Sequence, residues 1–134
     1  FSNRIYLIFF HLSFILIVLK NKENEKNNQQ DIFDFFFKQI ETNFRELGHG
    51  DVFVNKNMKD LVKLFYEILV HCQNWDKLTI KFKSDLMLKY FNPNSTHSII
   101  TSKLINYFDK FTNFSKDIPL ISLTKGVFSF AYKE

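Results

Sequence analysis

The run Arg45–Tyr66, RELGHGDVFVNKNMKDLVKLFY, is the most patterned segment of this 134-residue chain and decides its fold class. Its glycines, Gly48 and Gly50, interrupt two apolar series of the same kind. Before them Phe33, Phe36, Phe37, Ile40, Phe44 and Leu47 recur at helical spacing; after them so do Met58, Leu61, Leu64, Phe65, Ile68, Leu69 and Cys72. At about 100° per residue, Lys56, Lys59 and Lys63 fall on the side of the second helix opposite its apolar stripe. Gly48 therefore stands where a left-handed C-terminal cap belongs, and Asp51 or Asn55 can cap the helix that follows. This is helix, glycine turn, amphipathic helix. It is not a phosphate loop, which needs a preceding strand and a Gly-Lys-Ser/Thr ending.

Working outward, the same spacing continues on both sides. Asp31 can N-cap the helix before the turn, with Asp34–Lys38 and Glu41–Arg45 as acid-first i,i+4 pairs. Asn21 to Gln30 is polar and reads as a loop. Ile5–Leu19 is almost wholly apolar, but His11 and Ser13 interrupt it and it falls short of the ~20 residues of a spanning helix. No small-residue cleavage site follows it, so it reads as a core helix buried on most sides, with His11 hydrogen-bonded to a neighbour. A helix is expected over Lys77–Phe91, ending at Pro93 and Asn94. Another, capped by Thr96, carries Ile100, Leu104, Tyr107, Phe108 and Phe111 on one face. Asp117 and Pro119 suit the start of a short helix stopping at Gly126, and VFSFAY after it suits an extended tail. With 3 Gly and 2 Pro there are few hairpin signals, and the expected architecture is a single-domain all-α bundle of about five to six helices over residues 1–134. The chain starts at Phe1 without Met, so an upstream segment, with any targeting signal, is expected.

Composition narrows the chemistry. Eighteen Lys and Arg against 14 Asp and Glu give a net charge of +4, permissive for acidic partners but diagnostic of none. One cysteine, Cys72, rules out an internal disulfide and a multi-cysteine zinc site. It lies on an apolar face, where a thiol is inert by default. The histidines at 11, 49, 71 and 97 lack the i,i+4 spacing of a helical zinc site. No catalytic constellation emerges, so neither an enzyme nor a bound cofactor is expected.

The quoted run is similar to the Arg-Glu-Leu/Met-Gly-x-Gly-Asp turn, Val-x-Lys-x-x-Lys helix and Phe-Tyr ending of the ubiquinol–cytochrome c chaperone family. Arg45, Gly48, Gly50, Asp51, Val54, Lys56, Lys59, Phe65 and Tyr66 take the motif positions. FSNRIYLIFFHLSFIL resembles the family's first helix at Arg4 and His11, and KLINYF with LTKGVFSF resembles its close. Three departures stand out. Glu67 and Ile68 replace the Gly-Arg usual in bacterial members, Phe53 replaces a polar residue, and DKLTIKFKSDLMLKYF follows Trp75 where Ala-rich sequence is usual.

The resemblance implies an assembly chaperone of mitochondria or alphaproteobacteria that binds newly made cytochrome b until it joins respiratory complex III. The implied setting is the matrix side of the inner membrane, or the cytoplasmic side in a bacterium. Implied contacts are the ribosome tunnel exit, a small assembly-factor partner and a peripheral membrane surface, with no specific DNA. Partner contacts would fall to Arg4, Arg45, Asp51, Lys56, Lys59 and Lys63; His11, Gly48, Gly50, Phe65 and Tyr66 would be structural. Two rival classes are a basic helical nucleic-acid module and a membrane protein anchored by Ile5–Leu19.

Overall fold

Three phenylalanines of the first helix show how the fold is built. The computed structural model describes residues 2–22, 27–91 and 98–117, and its first helix, α1, covers Ser2–Lys22. Phe9, Phe10 and Phe14 are buried, and their rings fan out in different directions. Phe9 meets Phe36 and Phe37 of α2 (Asn27–Glu46) and Phe65 of α3 (Asp51–Gln73), with ring centroids 5.5–6.2 Å apart. Phe10 meets Tyr90 and Phe91 of α4 (Ile80–Phe91) and Phe108 of α5 (Ser98–Asp117) at 5.3–5.7 Å. Phe14 lies edge-on to Trp75 in the short 3-10 turn Trp75–Lys77 and beside Phe108 and Phe111. Edge and tilted pairings dominate, as the aromatic quadrupole favours.

α1 thus packs against all four other helices, and residues from every helix join one buried cluster. This is an all-α bundle, with five α-helices and no strand among the described residues. At 21 residues α1 is longer than Ile5–Leu19, and it is long and apolar enough to cross a membrane by length and composition. Many of its apolar residues nevertheless have protein neighbours: Ile5, Phe9, Phe10, Leu12, Phe14, Leu16, Val18 and Leu19 are buried, while Ile8 is exposed.

Two boundaries differ from the sequence reading. α1 runs through Lys22 and α2 begins at Asn27, so most of the expected loop is helix and Asp31 lies inside α2, not at its cap. Gln is a fair helix former, and Gln30 Nε2 donates to Asp34 Oδ1 at 2.8 Å, one turn on. Asp34 takes that bond and not the expected one from Lys38. Beyond α3, the expected Lys77–Phe91 helix is split. Leu78 is extended, and Thr79 Oγ1 accepts the Phe82 N–H at 3.2 Å, so α4 starts only at Ile80. Asp117 closes α5. The Pro93–Asn94 break, the Thr96 cap, the short helix to Gly126 and the VFSFAY tail lie outside the described residues.

The fan makes a sharp prediction. Phe9→Ala and Phe10→Ala should each cost about 3–5 kcal/mol, the usual range for emptying a buried aromatic site. Because domains are stable by only about 5–15 kcal/mol, the double variant should lack a cooperative unfolding transition in urea.

Candidate functional site: the α2–α3 corner and the outer face of α3

The corner begins where α2 stops. His49 N–H reaches back to Phe44 O at 3.2 Å, and Gly48 N–H to Arg45 O at 3.0 Å. That pair of bonds is a Schellman ending, which needs a left-handed residue, and Gly48 supplies it with φ +91°. Only Gly50 then remains to begin α3. It is the N-cap, with φ −81°, ψ 171° and its carbonyl accepting Val54 N–H at 3.0 Å. Neither Asp51 nor Asn55 is the cap, since the tight turn leaves them already inside the helix.

Asp51 has another task. Arg45 Nη1 donates to Asp51 Oδ1 at 2.5 Å, while Nε and Nη2 reach Glu41 Oε1 at 3.3 and 3.2 Å. One guanidinium therefore ties the last turn of α2 to the first turn of α3, and the bond from Asp51, then that from Glu41, raises its pKa further. Such exposed pairs hold geometry more than they add stability. Phe53 completes the corner by stacking on His49 at 4.0 Å, with Phe44 edge-on to both.

From this corner α3 rises with two faces. Val54, Phe65, Ile68 and Cys72 point inward and are buried; burial pushes the Cys72 thiol pKa up, which leaves it protonated. Lys56, Lys59 and Lys63 are exposed on the outer side and engage no carboxylate among the described residues. Tyr66 is half exposed and stacks on Phe33 of α2, centroids 5.7 Å apart. The corner thus gathers Arg45, Gly48, Gly50 and Asp51, with the lysines above it on one helix face. Arg4 stands apart from them, exposed on the first turn of α1.

His11 lies elsewhere, between α1 and α5. Its Nδ1–H donates to Leu7 O and its Nε2 accepts from the Tyr107 hydroxyl, both at 2.6 Å, among the rings of Tyr107, Phe108 and Phe111. Burial lowers its pKa, and the Leu7 bond opposes that only in part, so the neutral ring that this pattern requires is favoured.

Two polar groupings were not anticipated. Asp109 Oδ1 accepts Trp75 Nε1–H at 2.7 Å and Lys83 Nζ at 2.9 Å, and Lys83 lies 4.7 Å from the Trp75 ring centre. The signal was there: Lys83 shares a stripe with Leu86, Met87 and Tyr90 at i, i+3, i+4 and i+7. Glu67 Oε1 accepts both Lys89 Nζ (2.8 Å) and the Tyr90 hydroxyl (2.7 Å), bonds that lower its pKa. Among the described residues no group of three His, Cys, Asp or Glu could hold a metal.

Four variants test the geometry. His11→Ala should cost on the order of 1–3 kcal/mol, because it removes the hydrogen bonds of the imidazole to the Tyr107 hydroxyl and Leu7 O. A lowered histidine pKa means the unfolded chain takes up the proton first. Stability contributed by His11 is therefore complete above the unfolded value of about 6.5, and declines as pH falls below it toward the folded pKa. In urea titrations His11→Phe should flatten that decline. At the corner, Gly48→Ala should cost roughly 1–2 kcal/mol, as expected of a left-handed alanine. Gly50→Ser, with an ordinary cap φ and open space around its Cα, should be neutral or slightly stabilising.

Comparison with known proteins rests on one match. No curated protein matches the chain significantly, and neither does any solved structure. The family model described as Ubiquinol-cytochrome C chaperone matches residues 1–75, which takes in α1, α2, the corner, α3 and Trp75. That is more than half of the sequence, and the chain belongs to the ubiquinol–cytochrome c chaperone family.

Proposed function

We propose that this protein binds newly made cytochrome b and holds it until it enters ubiquinol–cytochrome c reductase, respiratory complex III. The observation that carries this reading is the family match over residues 1–75, which supports a role in complex III assembly. The physical requirements agree with it. A chaperone needs a stable frame, which the aromatic core around α1 supplies. It also needs surface for a client and for docking, and Leu47, Val52 and Phe53 are exposed apolar groups near the exposed lysines of α3. We assign its place of work to the matrix face of the inner mitochondrial membrane, or to the cytoplasmic face in a bacterium. There a peripheral protein could meet the client as it leaves the ribosome.

Pulse-labelling of cytochrome b in cells lacking the protein is the test. Labelled cytochrome b should fail to accumulate in complex III while other respiratory complexes initially persist. Normal assembly of labelled cytochrome b in those cells would refute the assignment.

A further inference from the structure

Val52, Lys56, Lys59, Lys63 and Val70 lie within a narrow angular strip of α3, since their spacings of 4, 3, 4 and 7 follow the helical period. The strip is solvent-facing throughout. Val52 is 86% exposed and Val70 62%, and all three lysines are exposed. It runs for about 27 Å, with the lysines confined to its middle 10 Å or so.

Its flanks are accounted for. On one side Tyr66 leans on Phe33 of α2; on the other Glu67 is held by Lys89 and Tyr90 of α4. The nearest carboxylates leave the lysines alone. Asp51 is taken by Arg45, Glu67 by α4, and Asp60, one turn from Lys56, makes no ion pair with it. Arg45, Lys83, Lys89 and Lys116 all have acidic partners within the molecule, whereas this row has none among the described residues.

We infer that this strip is a docking surface for an acidic amphipathic helix of a second protein. Carboxylates one and two turns apart would meet Lys56, Lys59 and Lys63, and apolar residues at either end would cover Val52 and Val70. Charge complementarity names the centre of the partner, and the exposed valines name its ends. A nucleic-acid backbone fits less well. Three lysines with no arginine, an exposed Asp60 beside them and aliphatic ends do not make the dense basic, aromatic track that phosphates and bases require. The inference deepens the docking role proposed above and rests on it for its cellular setting. Its test uses the purified chain alone, so it can fail while the cytochrome b reading stands, and the reverse.

The probe is a labelled synthetic helix of about 20 residues, with glutamates at the matching spacing and leucines at both ends. A second peptide carries lysine for each glutamate. The glutamate peptide should bind and the lysine peptide should not, with affinity falling as salt rises through ~0.1 M. Lys56→Glu/Lys59→Glu/Lys63→Glu should weaken the glutamate peptide at least about tenfold and gain binding of the lysine peptide. Lys59→Gln alone should give a smaller loss in the same direction. Val52→Asp/Val70→Asp should weaken binding about fivefold or more, because the ends contribute buried apolar area. Circular dichroism and urea midpoints should stay near those of the unaltered chain, as for most surface changes.

An RNA duplex, and phosphatidylcholine vesicles with and without phosphatidylglycerol, serve as competing ligands. If either bound more tightly than the glutamate peptide at equal salt, the inference would be overturned. It would equally be overturned by unchanged peptide affinity in the valine variant, which would reduce the strip to a bare charge row, or by failure of the charge swap.

Discussion

The packing of α1 against all four other helices is the constraint from which the rest of this structure follows. Phe9 and Phe10 are neighbours in sequence, so their side chains leave the helix about 100° apart and need separate shelters. α2 and α3 supply one, α4 and α5 the other. A helix flanked by four others needs little polar surface, and that is why its composition imitates a membrane span. His11 is the exception that fits the rule. Among the aromatic residues of α5 it keeps both ring nitrogens occupied, as a half-buried polar side chain must.

Because α3 gives its inner stripe to α1 and an edge to α2, its outer face is left to solvent. The same geometry gives the corner its form. The Schellman bonds at Gly48, the guanidinium bridge from Arg45 and the rings of Phe44, His49 and Phe53 set the angle at which α3 leaves α2. Arg45 and Asp51 are thereby occupied with each other. Of the side chains expected to make partner contacts, these two already share an ion pair within the chain, whereas Lys56, Lys59 and Lys63 have none among the described residues.

The sequence was legible where a local pattern had a single physical solution. Gly48 after a helical apolar series could hardly be other than a left-handed cap, and the inner and outer faces of α3 follow from periodicity alone. It was opaque where tertiary partners decide. Asn27–Gln30 looks like loop by polarity, yet helix continues there and Gln30 bonds Asp34 one turn ahead. The start of α4 turned on whether Thr79 would use its hydroxyl as a cap, in a segment otherwise helical in pattern. Lys83 sat on an apolar stripe, and its meaning waited on Asp109, 26 residues away. For the corner, the glycines were readable but the cap was not, because the tight turn makes Gly50 the cap and puts Asp51 inside α3.

The departures from the family pattern make sense in the same terms. Glu67 is joined to Lys89 and Tyr90, which belong to the segment after Trp75 that itself departs from the usual Ala-rich sequence. A carboxylate on α3 and its donors on α4 form one unit, and neither half explains itself alone. Phe53, in place of a polar residue, closes the turn by stacking on His49. Both substitutions are absorbed by contacts inside the chain, at the edges of α3 and not on its outer strip. What remains on that strip is three lysines between two valines, with no acidic partner among the described residues to account for them. An exposed valine gains nothing from water, and three adjacent ammonium groups repel one another. Both features are relieved by the same event, the arrival of a surface that is acidic at its centre and apolar at its ends.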